Sequence, residues 1–191
     1  KETIGVYPLL PDETCWFLAA DFDKKSWEKD AKAFLETCQE LGVPATLERS
    51  RSGKGGHVWI FFDQAIPAST ARKLGCVILT RTMEHRHQLG LDSYDPFFPN
   101  QDTMPKGGFG NLIALPLQFA PRKLGYSVFI DSDFRPDPDQ WQFISTIRRM
   151  PGEAVEDIVA EALRNGDLIG VRIGVVDDED GQAPWTIPPS R

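Results

Sequence analysis

Cysteine is scarce in this 191-residue sequence: Cys15, Cys38 and Cys76 are the three, and they lie far apart. None forms a C-x-x-C pair or joins a Cys/His cluster, which argues against a zinc site. An odd count with no disulfide pattern suits a reducing compartment, so the expected location is cytoplasmic and the thiols are expected as small buried hydrophobes. No apolar run approaches the roughly 20 residues of a membrane helix, so no membrane partner is expected. No basic-then-apolar leader opens the chain. It starts at Lys1 rather than Met, as a piece cut from a longer protein would. There is no internal repeat. Hydrophobic residues at 41% and charged residues at 26% leave no room for wholesale disorder.

Positive charge is also in deficit. The net charge of −7 argues at first against a nucleic-acid partner. Its distribution says more. Residues 1–48 hold five basic and ten acidic side chains, whereas residues 49–91 hold seven basic and two acidic. Residues 92–150 are nearly balanced, and 151–191 carry a net −6. A basic middle between acidic flanks could hold a phosphate-rich ligand; a solvated surface would look the same.

Periodicity orders the chain. Residues 15–20 read as a buried strand running into Asp21-Phe22-Asp23. Ser26 is placed to cap a helix from Trp27, with Ala31, Phe34, Leu35, Cys38 and Leu41 at helical spacing and Gly42 as its stop. Residues 45–49 and 57–62 read as two strands joined by a polar, glycine-rich turn, and Pro67 starts a second helix. A further strand would complete a ferredoxin-like or RRM-like α+β unit. Residues 92–110 read as a long loop, 111–117 and 126–130 as strands, and Asp139 or Asp137 as the opening of a helix. A helix at 152–163 and a strand at 168–176 follow, so the domain is expected over 1–176. Residues 177–191 form an acidic, Pro-rich linker or tail.

The chemistry-bearing residues sit at strand ends. Asp21 and Asp23 are two apart, so in a strand they share one face and could hold a pair of divalent cations. A strand end dissolving into solvent would give the same pattern. The turn Ser50-Arg51-Ser52-Gly53-Lys54-Gly55-Gly56 has the composition of a phosphate grip, with approachable amides, hydroxyls and a cation. It is not a Walker A loop, because the spacing fails and a strand follows. His57, next in line, can hydrogen-bond or protonate a phosphate oxygen. A third carboxylate is sought at Asp131 or Asp133, after Val128-Phe129-Ile130, with Asp102 the weaker alternative; Asp131 directly continues the strand and is preferred. Basic residues Arg49, Arg51, Arg72, Lys73 and Lys106 are candidate nucleic-acid contacts. Trp59, Phe97 and Phe98 are candidate base-stacking aromatics, although aromatics are more often core.

An hhhDhD strand, a strand-turn-strand bearing Ser-x-Lys and His, and an hhhD strand resemble in order the DxD, SxH and hD motifs of the archaeo-eukaryotic primase superfamily. The runs 5–10, 48–53, 57–62 and 106–118 resemble the primase-polymerase domain of TOTE conflict systems, which is similar to CRISPR-associated primase-polymerases. The resemblance covers about residues 4–150. One position departs: Gly55 stands where the SxH motif usually has a small hydroxyl residue, so Ser52 or Ser50 is expected to supply that contact.

The resemblance implies a DNA primase or DNA-dependent polymerase built on that α+β core with extra strands and C-terminal helices. It implies two Mg²⁺ or Mn²⁺ ions on Asp21, Asp23 and Asp131. The dNTP or NTP would be held by Ser50, Ser52, Lys54 and His57, and the loop 106–111 would line the sugar or template side. A single-stranded or primed DNA template and a helicase or other joined domains are the implied partners. Two rivals share parts of this pattern: a two-metal nuclease, and a non-catalytic RRM-like nucleic-acid binder. A nuclease has little need of a triphosphate grip. A bare RRM would not place carboxylates where phosphate must come.

Overall fold

The computed structural model describes residues 3–85 and 94–166. The strand expected at 168–176 and the tail at 177–191 lie outside the described residues. The elements run β1 (Gly5–Val6), β2 (Thr14–Phe22), α1 (Trp27–Glu40), β3 (Thr46–Arg49), β4 (Gly56–Pro67), α2 (Ala68–His85), β5 (Tyr94–Phe98), β6 (Ile113–Ala114), β7 (Val128–Ile130), α3 (Gln140–Thr146) and α4 (Gly152–Asn165). Five strands form one antiparallel sheet in the order β5-β2-β4-β3-β7, and β1 pairs with β6 in a second, two-stranded sheet.

Strands β2, β3, β4 and β5 with helices α1 and α2 give the β-α-β-β-α-β unit expected of an RRM-like α+β core. Its completing strand is β5, which sequence patterning placed inside a loop. Tyr94-Asp95-Pro96-Phe97-Phe98 carries a proline and an aspartate, both unfavourable in strands. Such a strand is tolerated at a sheet edge, where proline's missing N–H can face away from the ladder, and β5 is an edge strand. Strand β7 extends the unit beyond β3.

Side chains alternate across the sheet, and the two faces are used differently. Leu18, Ala20, Phe22, Val58, Ile60 and Phe62 belong to the main core with Phe34 of α1 and Leu74 and Ile78 of α2. Ala19, Trp59 and Phe129 belong to the other face and pack with Ile113 of β6. By the same alternation Asp21 and His57 stand on that second face, away from α1 and α2.

Local signals explain most boundaries. Gly42, at φ +68°, ends α1 in the left-handed region that a side chain would strain. Asp139 caps α3 by accepting from the N–H groups of Trp141 and Gln142. Ser26 makes no such bond; its Oγ donates to the buried carboxylate of Asp30 at 2.9 Å. Pro67 closes β4 rather than opening α2. All three cysteines are free and buried, and burial pushes the Cys15 thiol up to about 12. Among the described residues no helix is long and apolar enough to cross a membrane.

Candidate active site

One row of residues crosses three strands. Asp21 on β2 is paired with His57 on β4, and His57 with Glu48 on β3, so their side chains rise on one face. His57 Nε2 lies 3.5 Å from Asp21 Oδ1, and Nδ1 lies 2.9 Å from Glu48 Oε2. Glu48 is 1% exposed, and a buried carboxylate is costly unless donors surround it. It has three: His57, Trp59 Nε1 at 2.9 Å, and Ser127 Oγ at 3.4 Å. An ionised carboxylate only accepts, so His57 Nδ1 carries the hydrogen and Nε2 is left facing Asp21. Burial pulls the His57 pKa down. The hydrogen bond to Glu48 and the charges of Glu48 and Asp21 together outweigh it and hold the imidazole above its ordinary value.

The turn between β3 and β4 hangs over this row. Ser50 N–H donates to the Gly55 carbonyl at 2.9 Å, and Gly53 N–H to the Ser50 carbonyl at 2.9 Å. Ser50 Oγ and Ser52 Oγ are 3.1 Å apart, and Lys54 N–H donates to Ser52 Oγ at 3.2 Å. Two glycines seat the turn. A Cβ on Gly53 would stand 2.5 Å from the Tyr126 ring, and one on Gly55 would stand 2.5 Å from the Phe22 carbonyl oxygen and 3.2 Å from Asp23 Cα. Position 55 therefore departs from the SxH pattern for a steric reason: the turn lies directly on the backbone that carries Asp23. Restoring the hydroxyl with Gly55→Ser is expected to push that backbone aside and destabilise the fold by about 1–3 kcal/mol, the usual cost of overpacking, read by chemical denaturation. Parent-like stability in that variant would contradict the packing argument.

Asp21, Asp23, Lys24, Arg51, Ser52, Lys54 and His57 line a cleft of about 970 Å³ together with the apolar Phe98, Leu112, Ile113 and Ala114. Asp23 Oδ1 is buried and has no hydrogen-bond partner. Beside Asp21, that orphaned oxygen suits a hard divalent cation, which takes oxygen ligands. Among the described residues, however, no three His, Cys, Asp or Glu side chains converge as a metal site.

Asp131 is not part of the cleft. It is exposed, and its Oδ1 accepts from the N–H groups of Asp133 and Arg135, each at 2.9 Å. It follows β7, three strand spacings from β2, or about 14 Å at the usual spacing. A metal pair needs its ligands around ions roughly 3.5–4 Å apart. Strand β5, by contrast, neighbours β2 directly. Its register passes from Ala20↔Phe97 to Phe22↔Tyr94, so Asp95 and Pro96 together stand opposite Asp21 in a bulge.

The predicted nucleic-acid contacts divide in the same way. Arg51 lines the cleft. Arg72 is 7% exposed and ion-paired with Asp102, so its charge is already engaged, and Asp102 serves as its partner rather than a ligand in the cleft. Lys73 stands beside it on α2, which packs on the opposite face of the sheet from Asp21 and His57. Arg49 is half-buried and donates to the carbonyls of Phe134 at 2.7 Å and Gly125 at 3.5 Å, bracing two loops. Lys106 is exposed in a loop and is not among the cleft-lining residues. The loop 106–111 borders the cleft only through its continuation into Leu112–Ala114. Of the aromatics, Trp59 and Phe97 are buried and Phe98 lines the cleft. Glu48 went unread in the sequence; the one signal for it was a carboxylate facing His57 across the hairpin, visible only once the turn length sets the register.

A family model described as TOTE conflict system, Archaeo-Eukaryotic Primase domain, matches residues 1–158. No curated protein matches the chain.

Proposed function

Because the chain belongs to the archaeo-eukaryotic primase domain family of TOTE conflict systems, and so to a primase-type nucleotidyltransferase family, we propose that it is a template-directed polymerase joining nucleoside triphosphates on a DNA template. The observation that carries this reading is the cleft itself, where Asp21 and the unpartnered Asp23 oxygen face His57 and the serine-lysine turn.

Asp21 and Asp23 would hold Mg²⁺ or Mn²⁺, which their hard oxygens favour over softer metals. When bound, such ions neutralise the triphosphate and make the 3′-hydroxyl a better nucleophile. The chain's own groups do the positioning. Lys54, Arg51 and the hydroxyls of Ser50 and Ser52 offer cations and donors to the phosphates. His57, anchored at Nδ1 by Glu48, presents Nε2 to the same space and can hydrogen-bond a phosphate oxygen. Phe98 and Leu112 offer an apolar wall to the base or sugar. Asp131, whose carboxylate accepts from the N–H groups of its own loop outside the cleft, is not among the ligands in this reading.

A nuclease would use the same carboxylates, but the cationic serine turn fits a triphosphate better than a diester. The test is incubation of the chain with single-stranded or primed DNA, Mg²⁺ or Mn²⁺, and labelled dNTP or NTP. Incorporation is expected in the parent and in Asp131→Asn, whose carboxylate is engaged by its own loop outside the cleft. Degradation of the DNA without incorporation would favour the nuclease. A folded but inactive Asp131→Asn would return a metal ligand to the end of β7.

A further inference from the structure

The segment from Leu117 to Ser127, between β6 of the small sheet and β7 of the large one, closes on itself as a loop. Leu117 N–H donates to the Ser127 carbonyl at 2.6 Å, and Gln118 N–H donates to Ser127 Oγ at 3.2 Å. The base of the loop is rigid and joined to the site. Ser127 is 1% exposed; it donates its N–H to the Ser50 carbonyl at 3.3 Å and its hydroxyl to Glu48. Tyr126 lies against Gly53 of the serine turn.

The crest is built differently. Phe119, just before a short 3-10 turn at Pro121–Leu124, is 61% exposed, and Leu124 at the end of that turn is 72% exposed. Lys123 Nζ sits 4.1 Å from the Phe119 ring centroid, and Arg122 Cζ sits 5.6 Å from it. Among the described residues neither cation is ion-paired with a carboxylate. From 103 to 130 the sequence holds Lys106, Arg122 and Lys123 and no acidic residue, in a chain of net charge −7. A rigid loop that exposes an aromatic face and unpaired cations, cleared of negative charge, has the make-up of a platform for single-stranded nucleic acid: bases stack on the ring and phosphates meet the cations.

We propose that this crest binds the single strand that the cleft copies, with one base on Phe119 and neighbouring phosphates on Arg122 and Lys123. The proposal rests on the polymerase reading and gives it a template path. That path leaves the serine turn, with Arg51 at its edge, and continues over the loop that Ser127 and Tyr126 fasten to that turn.

The test is fluorescence anisotropy of a labelled oligothymidylate with the chain at rising salt, beside nucleotide incorporation. Phe119→Ala is expected to weaken oligonucleotide binding about tenfold, the effect of one lost stacking contact. The double variant Arg122→Gln, Lys123→Gln is expected to flatten the log–log salt slope by about 1.4, at roughly 0.7 per phosphate contact for a single strand. Melting temperatures should match the parent, because these side chains are exposed, and dNTP affinity measured without oligonucleotide should also match. Parent-like affinity and slope in both variants, with incorporation intact in the parent, would overturn the crest and leave the polymerase reading standing. Loss of affinity in the variants, with no incorporation by the parent on any template, would keep the crest as a nucleic-acid surface and overturn the polymerase.

Discussion

Asp21→Asn and Asp23→Asn are each expected to lower nucleotide incorporation by about 10³-fold or more, while the fold stays intact. Several kcal/mol of transition-state stabilisation is what a bound cation supplies in an in-line displacement, and each step of 1.36 kcal/mol is tenfold in rate. Asparagine keeps the shape and one oxygen but removes the charge. Position 23 gives a sharper signature. Its Oδ1 is buried without a partner, so the folded protein holds a carboxylate oxygen that nothing in the described chain satisfies. Neutralising it is expected to leave the melting temperature of the metal-free protein unchanged or raised. Mn²⁺ should raise the parent's melting temperature, as any ligand selective for the native state does, and should not raise that of Asp23→Asn. A variant that incorporates nucleotide at near the parent rate would end the assignment, as would an equal Mn²⁺ shift in parent and variant.

The second large effect falls on Glu48, which touches neither solvent nor, in this reading, the nucleotide. Glu48→Ala strands His57 Nδ1, Trp59 Nε1 and Ser127 Oγ in a buried setting. Removing one partner of a buried charged network costs about 3–5 kcal/mol, so chemical denaturation should show a loss of roughly that size. Glu48→Gln tests the positioning role. It keeps volume and an acceptor oxygen but loses the charge that fixes the His57 tautomer, and its stability loss should be smaller. Its KM for nucleotide should rise about tenfold, the scale seen when the partner that orients a functional histidine is changed. A stability loss with an unchanged KM would reduce Glu48 to a structural residue.

Much of the core was legible because its signals are local. The apolar run at 15–20, the helical spacing after Trp27 and the glycine stop at 42 report neighbours within a few residues, and β2 and α1 formed where they pointed. β5 was not legible. Its proline and aspartate violate strand preference, and only its place at the sheet edge makes them tolerable.

The sequence by itself determined the materials of the site: two carboxylates on one strand face, a serine-lysine-glycine turn, and a histidine at the head of the next strand. Tertiary structure decided which of the remaining groups join them. Asp23 and Asp131 look alike in sequence, each at the end of an apolar strand. But β2 and β7 run in opposite directions, with β4 and β3 between them, so their final residues emerge toward opposite ends of the sheet. Arg72 and Arg49 read as free cations until folding engaged one with Asp102 and the other with two carbonyls. Glu48 read as an unremarkable strand residue until hairpin register set it against His57. In each case the deciding quantity is a relation between segments distant in sequence — strand direction, register or a packing partner — and residue type and local spacing carry no record of it.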